Sequence, residues 1–234
     1  MTVPPAASQG AEARQRIQVD LHIHSRYSTD SLLSPEELIE AVARRGLGAI
    51  AVLDHNVIEG AFALREVAPF PVIVGEEILT TEGEVAGLFL QHWIPPKLTA
   101  AQTVARIKEQ GGLVYVPHPF DRYRRSALGE RVLEEIADQV DIVEVLNARS
   151  LYSADNERAA NWARQHGIPA GAGSDAHSIY ELGQAYVEMD PFSDKESFLA
   201  SLRRGEIGGG LSSPHVHVYS TWAKLVKKGG GSHG

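Results

Sequence analysis

"VDLHIHSRYSTD", residues 19–30, reads as a strand whose alternation carries unusual residues. Val19, Leu21 and Ile23 make an apolar face, as a half-buried strand requires. Asp20, His22 and His24 make the other face, with Asp30 a short loop away. A solvated strand edge more often carries Lys, Glu or Thr, so a carboxylate and two imidazoles on one face call for a chemical explanation.

Outward from this strand, short apolar segments alternate with amphipathic helical ones. A helix is expected from Pro35, behind Ser34 as N-cap and with Glu37 at its third position, ending at Gly46. "LGAIAVLDH" follows as a strand apolar on both faces. A short helix near 58–67, the strands "PVIVGEEIL" and "EVAGLFL", and a helix capped by Thr99 come next. Then come "LVYVPHP", a helix near 128–138, "DIVEVLN", a helix near 153–166, "IPAGAGSDAH", "GQAYVEM" and a last helix near 194–204. About seven strand–helix passes imply a parallel sheet wrapped by helices. An open sheet would usually place phosphate-binding glycines after its first strand; histidines stand there instead, so the expectation is a barrel.

The 234 residues suffice for one domain with a large core, and 43% hydrophobic with 22% charged residues is ordinary for a globular chain. A net charge of −8 argues against a broad nucleic-acid or membrane surface. The absence of cysteine excludes disulfides, thiolate zinc sites and cysteine nucleophiles, and is compatible with a cytoplasmic protein. No apolar run is long enough to span a membrane. Residues 1–16 are expected to be a disordered arm, 17–226 the barrel and 227–234 a flexible tail.

The ionisable residues are not scattered over this framework. His22, His24, Asp54, His55, Glu77, His118, Asn147, Asp175 and His177 all fall at or near the carboxyl ends of the expected strands, where barrel enzymes assemble their sites. Imidazole and carboxylate without thiolate suit zinc, manganese or iron. Residues i and i+2 of a strand lie about 6.6 Å apart on one face, so an H-x-H pair can close on one ion. So many converging carboxylates would repel one another without cations. Two or three divalent ions remove that problem, and two of them about 3.5–4 Å apart can clamp an in-line displacement at phosphorus.

At this point "DLHIHSRYSTDS", "AVLDHN", "GEEIL", "VPHPFD", "EVLNAR" and "GSDAH" resemble, in order over about residues 17–215, the motifs of the PHP family, the polymerase and histidinol phosphatase domain. The resemblance implies an α/β fold, a distorted (β/α)7 barrel of the PHP type, with a two- or three-metal site that usually hydrolyses phosphoesters. It also implies that His22, His24, Glu77 and Asp175 hold one ion, that Glu77 bridges to a second ion bound by His118, and that Asp30, His55 and His177 hold a third. Asp20, Asp54 and Asn147 take supporting positions. One residue departs from the pattern: Glu84 stands where many members carry a histidine, and it is carried here as a ligand to the second ion.

The expected activity is metal-dependent hydrolysis of a small phosphorylated metabolite, nucleotide or short oligonucleotide by a hydroxide bridging two ions. Arg26, Arg122, Arg124, Arg125 and Arg149 follow strand ends, and Arg26 and Arg149 are the expected phosphate clamps. His177 or Asp54 is expected to protonate the leaving group. Amidohydrolase-type chemistry is the alternative, although no lysine lies at a mid-barrel strand end as those enzymes usually require. A non-catalytic metal-binding module is the other. "HVH" at 215–217 lies far from any expected strand end and carries no weight as a site, nor do His92 and His166.

Overall fold

The computed structural model describes residues 16–230. Seven strands form a nearly closed barrel: β1 (Ile17–Ile23), β2 (Ala49–Val52), β3 (Val72–Leu79), β4 (Glu84–Leu88), β5 (Leu113–Val116), β6 (Ile142–Asn147) and β7 (Ala170–Gly173). The helices α1 (Pro35–Arg45), α2 (Glu59–Val67), α3 (Ala100–Glu109), α4 (Gly129–Ile136) and α5 (Ser153–His166) connect them. The chain then adds β8 (Ala185–Met189), α6 (Lys195–Leu202), β9 (Glu206–Gly209) and α7 (Val216–Gly230).

The sheet order is β7-β6-β5-β4-β3-β2-β1-β8-β9. All barrel strands run parallel except β4, which pairs antiparallel with β3 and β5. This hairpin, without a crossover helix, is the distortion of the barrel. Its turn is held by Thr80, whose backbone N–H and hydroxyl both donate to the Gly83 carbonyl. Gly83 takes φ +133°, a conformation that side chains rarely adopt.

The barrel closes at the carboxyl end of β1. His24 N–H donates to the Ala176 carbonyl at 2.9 Å and Asp175 N–H to the His22 carbonyl at 2.7 Å, while the amino-terminal half of β1 pairs with β8 instead. Closure therefore occurs where the histidines are. Strand alternation then sorts the core. Leu21, Ala51, Leu53, Ile73, Ala86, Leu88, Tyr115, Ile142 and Ala172 belong to a cluster contributed almost wholly by strands, the barrel interior. Ile50, Val52, Val74, Ile78, Val114, Val116, Val143 and Val145 pack with Leu38, Leu64, Val104, Leu133 and Ala159 of the helices.

Strand β1 breaks its own alternation. Val19 and Leu21 belong to the interior, yet Ile23 belongs to the layer under the helices. The register against β2 shifts between Asp20 and Ile23, a bulge that turns His22 and His24 inward without Asp20. The uniform two-face reading of this strand is thereby corrected.

Two boundaries also differ from expectation. Arg16, placed in the disordered arm, is fixed: its guanidinium donates to Glu206 and to the carbonyls of Glu188 and Arg204. Residues 227–230, placed in a flexible tail, complete α7; residues 1–15 and 231–234 lie outside the described residues. Helix α7 and strand β9 were not expected: β9 is four residues of which two are glycine, and α7 is amphipathic but follows a stretch rich in Gly, Ser and Pro. No helix among the described residues is long and apolar enough to cross a membrane.

Helix α1 starts as read. Ser34 Oγ accepts from Glu37 N–H at 3.2 Å and Glu37 Oε2 accepts from Ser34 N–H at 2.9 Å, a reciprocal cap. Ser34→Ala should therefore lower stability by about 1 kcal/mol in urea unfolding, with an unchanged denaturant slope.

Candidate metal centre

Five imidazoles and four carboxylates meet at the carboxyl end of the barrel. Inward alternation places Leu53 and His55 on β2 and its exit, Ile73 and Glu77 on β3, and Glu84, Ala86 and Leu88 on β4. Glu84 is thus directed inward by the same parity that buries Ala86, and it is 6% exposed rather than solvent-facing. His118 and Asp175 follow their strands with φ +30° and +54°. Backbone strain at both positions is local to the site, where surrounding structure holds it.

His22 and His24 present their Nε2 atoms to each other at 3.1 Å. Glu77 Oε2 lies 3.5 Å from each of those nitrogens, and Asp175 Oδ1 lies 3.2 Å from His24 Nε2. His118 Nε2 lies 2.9 Å from Glu77 Oε1 and 3.7 Å from Glu84 Oε2. His55 faces both sides, with Nδ1 3.0 Å from Glu77 Oε2 and Nε2 3.4 Å from Asp30 Oδ2. His177 Nε2 completes the outer group, 3.1 Å from Asp30 Oδ1.

This donor set fits divalent metal. Of the buried polar side-chain atoms without a hydrogen-bond partner among the described residues, His24 Nδ1, Glu77 Oε2, His118 Nδ1 and Asp175 Oδ1 all lie in this cluster. The two carboxylate oxygens have only imidazole nitrogens as neighbours, and cations held between them would satisfy both. Ligand atoms within 4.8 Å of one another are offered by His24, Asp30, His55 and His177; by His22, His24 and Glu77; by His22, His118 and Glu144; and by His55, Glu77 and Glu84.

The protein's own charges already pull these groups from their ordinary states. Burial, with His177 and His55 alongside, lowers the His24 imidazole to about 3. That leaves one ring nitrogen with a free lone pair to offer a metal. Burial alone would raise Glu77, but His22 and His55 overcome it and hold the carboxyl well below its usual range. Burial and the neighbouring Glu77 raise Glu84.

Beneath the cluster sits Glu144, which the sequence reading missed. It faces His22 Nδ1 at 3.1 Å and accepts from Tyr115 Oη, His118 N–H and Asn147 Nδ2 at 2.8, 2.8 and 2.9 Å. A proton on His22 Nδ1 leaves Nε2 bare for metal, so Glu144 sets the tautomer. Its signal was present: a carboxylate at an inward position of an otherwise apolar strand. Asn147 Nδ2 also lies 3.3 Å from Asp175 Oδ2, in keeping with a supporting position.

Two other supporting carboxylates orient backbone rather than imidazole. Asp20 accepts from the N–H groups of His22, Ser174 and Gly183 and from Ser174 Oγ, buckling β1 to the β7 exit. Asp54 accepts from Ser25 N–H and Oγ, both at 2.6 Å. Inward parity on β2 runs through Leu53 and His55, so Asp54 points away, and its expected role as a proton donor to the leaving group is corrected. Burial raises its carboxyl to about 6.

Above the cluster is a cavity of about 380 Å³ lined in part by Asp30, His55, Glu84, Arg124, Arg149 and His177. Arg149 is buried there and donates to Glu181 Oε1 at 2.9 Å and Ser220 Oγ at 2.8 Å, and its Nη1 lies 2.8 Å from His177 Nδ1. Arg26 is corrected: its side chain is exposed and outside the cavity lining, because the loop after β1 turns it to solvent. Arg124 takes the inner position, with Nη2 2.5 Å from Asp175 Oδ2 and Nη1 3.1 Å from His118 Nε2. Arg122 is engaged by Asp155. His215 meets Ser213 at the start of α7, away from the cluster.

A nearly closed barrel with histidines and carboxylates gathered at its strand ends defines a class of folds with a candidate metal centre. The PHP domain profile matches residues 20–104 and the PHP-associated profile residues 153–207. An uncharacterized protein of Methanocaldococcus jannaschii is 40% identical over 177 residues, covering 74% of this chain and 70% of that one. The chain belongs to the PHP family. Among solved structures it resembles a two-domain protein of Bacteroides vulgatus containing a predicted PHP-like metal-dependent phosphoesterase (TM-score 0.69, 18% identity, 90% of this chain and 70% of that one). It also resembles an amidohydrolase of Chromobacterium violaceum with bound sulfate and no metal (TM-score 0.55, 20% identity, 68% and 87%).

Two variants test the supports of this centre. A Cβ added at Gly173 would lie 2.2 Å from His22 Cβ and 2.8 Å from its backbone nitrogen, so Gly173→Ala should displace His22 and abolish stoichiometric metal binding. Glu144→Gln should keep the fold but weaken metal affinity by about 10–100-fold in a chelator-competition titration.

Proposed function

We propose that the chain is a metal-dependent phosphoesterase acting on a small phosphorylated metabolite, nucleotide or short oligonucleotide. The observation that carries this reading is the buried donor set of His22, His24, Glu77, His118 and Asp175, directly below a cavity lined by Arg124 and Arg149. Metal ligands alone fit many hydrolases; guanidinium groups above them fit the oxygens of phosphate.

In this reading His22, His24, Glu77 and Asp175 hold one ion, Glu77, Glu84 and His118 a second, and Asp30, His55 and His177 a third. Manganese, iron and zinc all suit such nitrogen and oxygen donors. Divalent ions bound there supply charge to the phosphoryl oxygens and lower the pKa of water towards neutrality.

The chain's own residues do the rest. Glu144 fixes the His22 ring, and Asp20 and Asp54 lock the strand exits, so the donors are preorganised before substrate arrives. Arg124 and Arg149 are each held by carboxylates, Asp175 and Glu181, so their forks are positioned without further loss of side-chain freedom. His177 lines the cavity and is placed either to complete the outer ligand group or to give a proton to the leaving group from Nε2.

The test is metal content together with hydrolysis of p-nitrophenyl phosphate and a panel of nucleotides and sugar phosphates, in native protein and His24→Ala. Two or three ions per chain and turnover in the native protein, with activity falling at least about 100-fold in the variant and after treatment with chelator, support the reading. Turnover of amides or lactones but of no phosphoester assigns amidohydrolase chemistry. Bound metal without turnover of any of these assigns a binding module.

A further inference from the structure

Helix α7 is clamped across the mouth of the barrel. Ser220 Oγ accepts from Arg149 at 2.8 Å, Lys224 Nζ lies 3.3 Å from Asp30 Oδ2, and Lys227 donates to the carbonyls of Arg26 and Ser28. Ala223 is buried between these anchors. The segment leading in is fixed as well, with Ser212 N–H donating to the Ala148 carbonyl at 2.6 Å. Every anchor lies on the loops after β1 and β6, which carry Asp30 and Arg149. Ser220, Thr221 and Lys224 consequently line the cavity above the metal centre.

Lys224 is the consequential residue of this wall. Its ammonium is half-exposed, and the carboxylate it meets is Asp30, a candidate metal ligand. With a cation bound to Asp30, that carboxylate is neutralised and the ion repels the ammonium. Lys224 also lines the cavity together with Arg124 and Arg149, where a bound anion would replace Asp30 as its negative partner. A lysine that is drawn to ligand only when metal is present suits a substrate anion.

We propose that Lys224 binds the phosphoryl group of the substrate, and that α7 thereby limits the site to small phosphomonoesters. This inference rests on the phosphoesterase reading. A terminal phosphoryl carries close to two negative charges at neutral pH and offers three oxygens, enough for Lys224 and the two arginines at once. An internal phosphate of a polynucleotide carries one charge and must lead chain in and out past α7.

The experiment measures inorganic phosphate binding by calorimetry to manganese-loaded native protein, Lys224→Ala and Lys224→Arg. Lys224→Ala should weaken phosphate binding at least about 10-fold, and Lys224→Arg should restore it to within about 3-fold, with metal content and melting temperature unchanged. KM for a small phosphomonoester should rise by the same factor as the dissociation constant, with kcat little changed. Unaltered phosphate affinity in Lys224→Ala overturns the inference, as does a parallel loss of metal, which would make Lys224 a partner of Asp30 alone. Native protein that binds phosphate in a Lys224-dependent way but hydrolyses no phosphoester sinks the phosphoesterase reading and leaves the anion site standing. Hydrolysis indifferent to Lys224→Ala does the reverse.

Discussion

Burying imidazoles and carboxylates together at one end of a barrel is the constraint on which the rest of this structure depends. His22, His24, Glu77 and Asp175 are all fully buried, and such groups desolvate at great cost unless each charge finds a partner. The chain meets the cost in part by pairing them with one another, which is why Glu77 and Asp175 are held ionised, while burial and the neighbouring imidazoles keep His24 neutral. The donor atoms that face one another there, His22 and His24 Nε2 and Glu77 Oε2, lie 3.1–3.5 Å apart. Neither β1 nor β3 alone could hold such a set; closure of β1 against the β7 exit brings its two ends together.

Around that centre, the supporting contacts divide by what they orient. Glu144 fixes rings and the amide of His118, Asp20 and Asp54 fix backbone, and Glu181 fixes Arg149. Positions with left-handed backbone, His118 and Asp175, sit inside this scaffold, so their strain is borne by contacts from several strands. The arrangement is buried where the donors converge and more exposed at the cavity, where Lys224 and Tyr123 stand.

Much of the centre was legible before folding. His22, His24, Asp30, His55, Glu77, Glu84, His118, Asp175 and His177 could be named because strands place ligands at their carboxyl ends and at alternate positions, and all nine meet there. Parity could have gone further: it separates inward His55 from outward Asp54, and inward Glu77 from Glu76, whose carboxyl instead accepts from Ile94 N–H. It could also have found Glu144. Arg26 was misread because a loop residue adjacent to a motif has no parity to follow.

What the chain's linear order determined is therefore the seven barrel strands, their inward positions, the family and the types of donor side chain, since these follow from local periodicity and side-chain chemistry. What only the tertiary structure decided is which neighbours those positions acquire. The bulge that separates Asp20 from His22 and His24, the entry of Arg124 beside Asp175, and the arrival of Lys224 on a helix almost two hundred residues after Asp30 all depend on contacts between distant segments. Local pattern carries no record of such contacts, because their energy exists only once the barrel has closed.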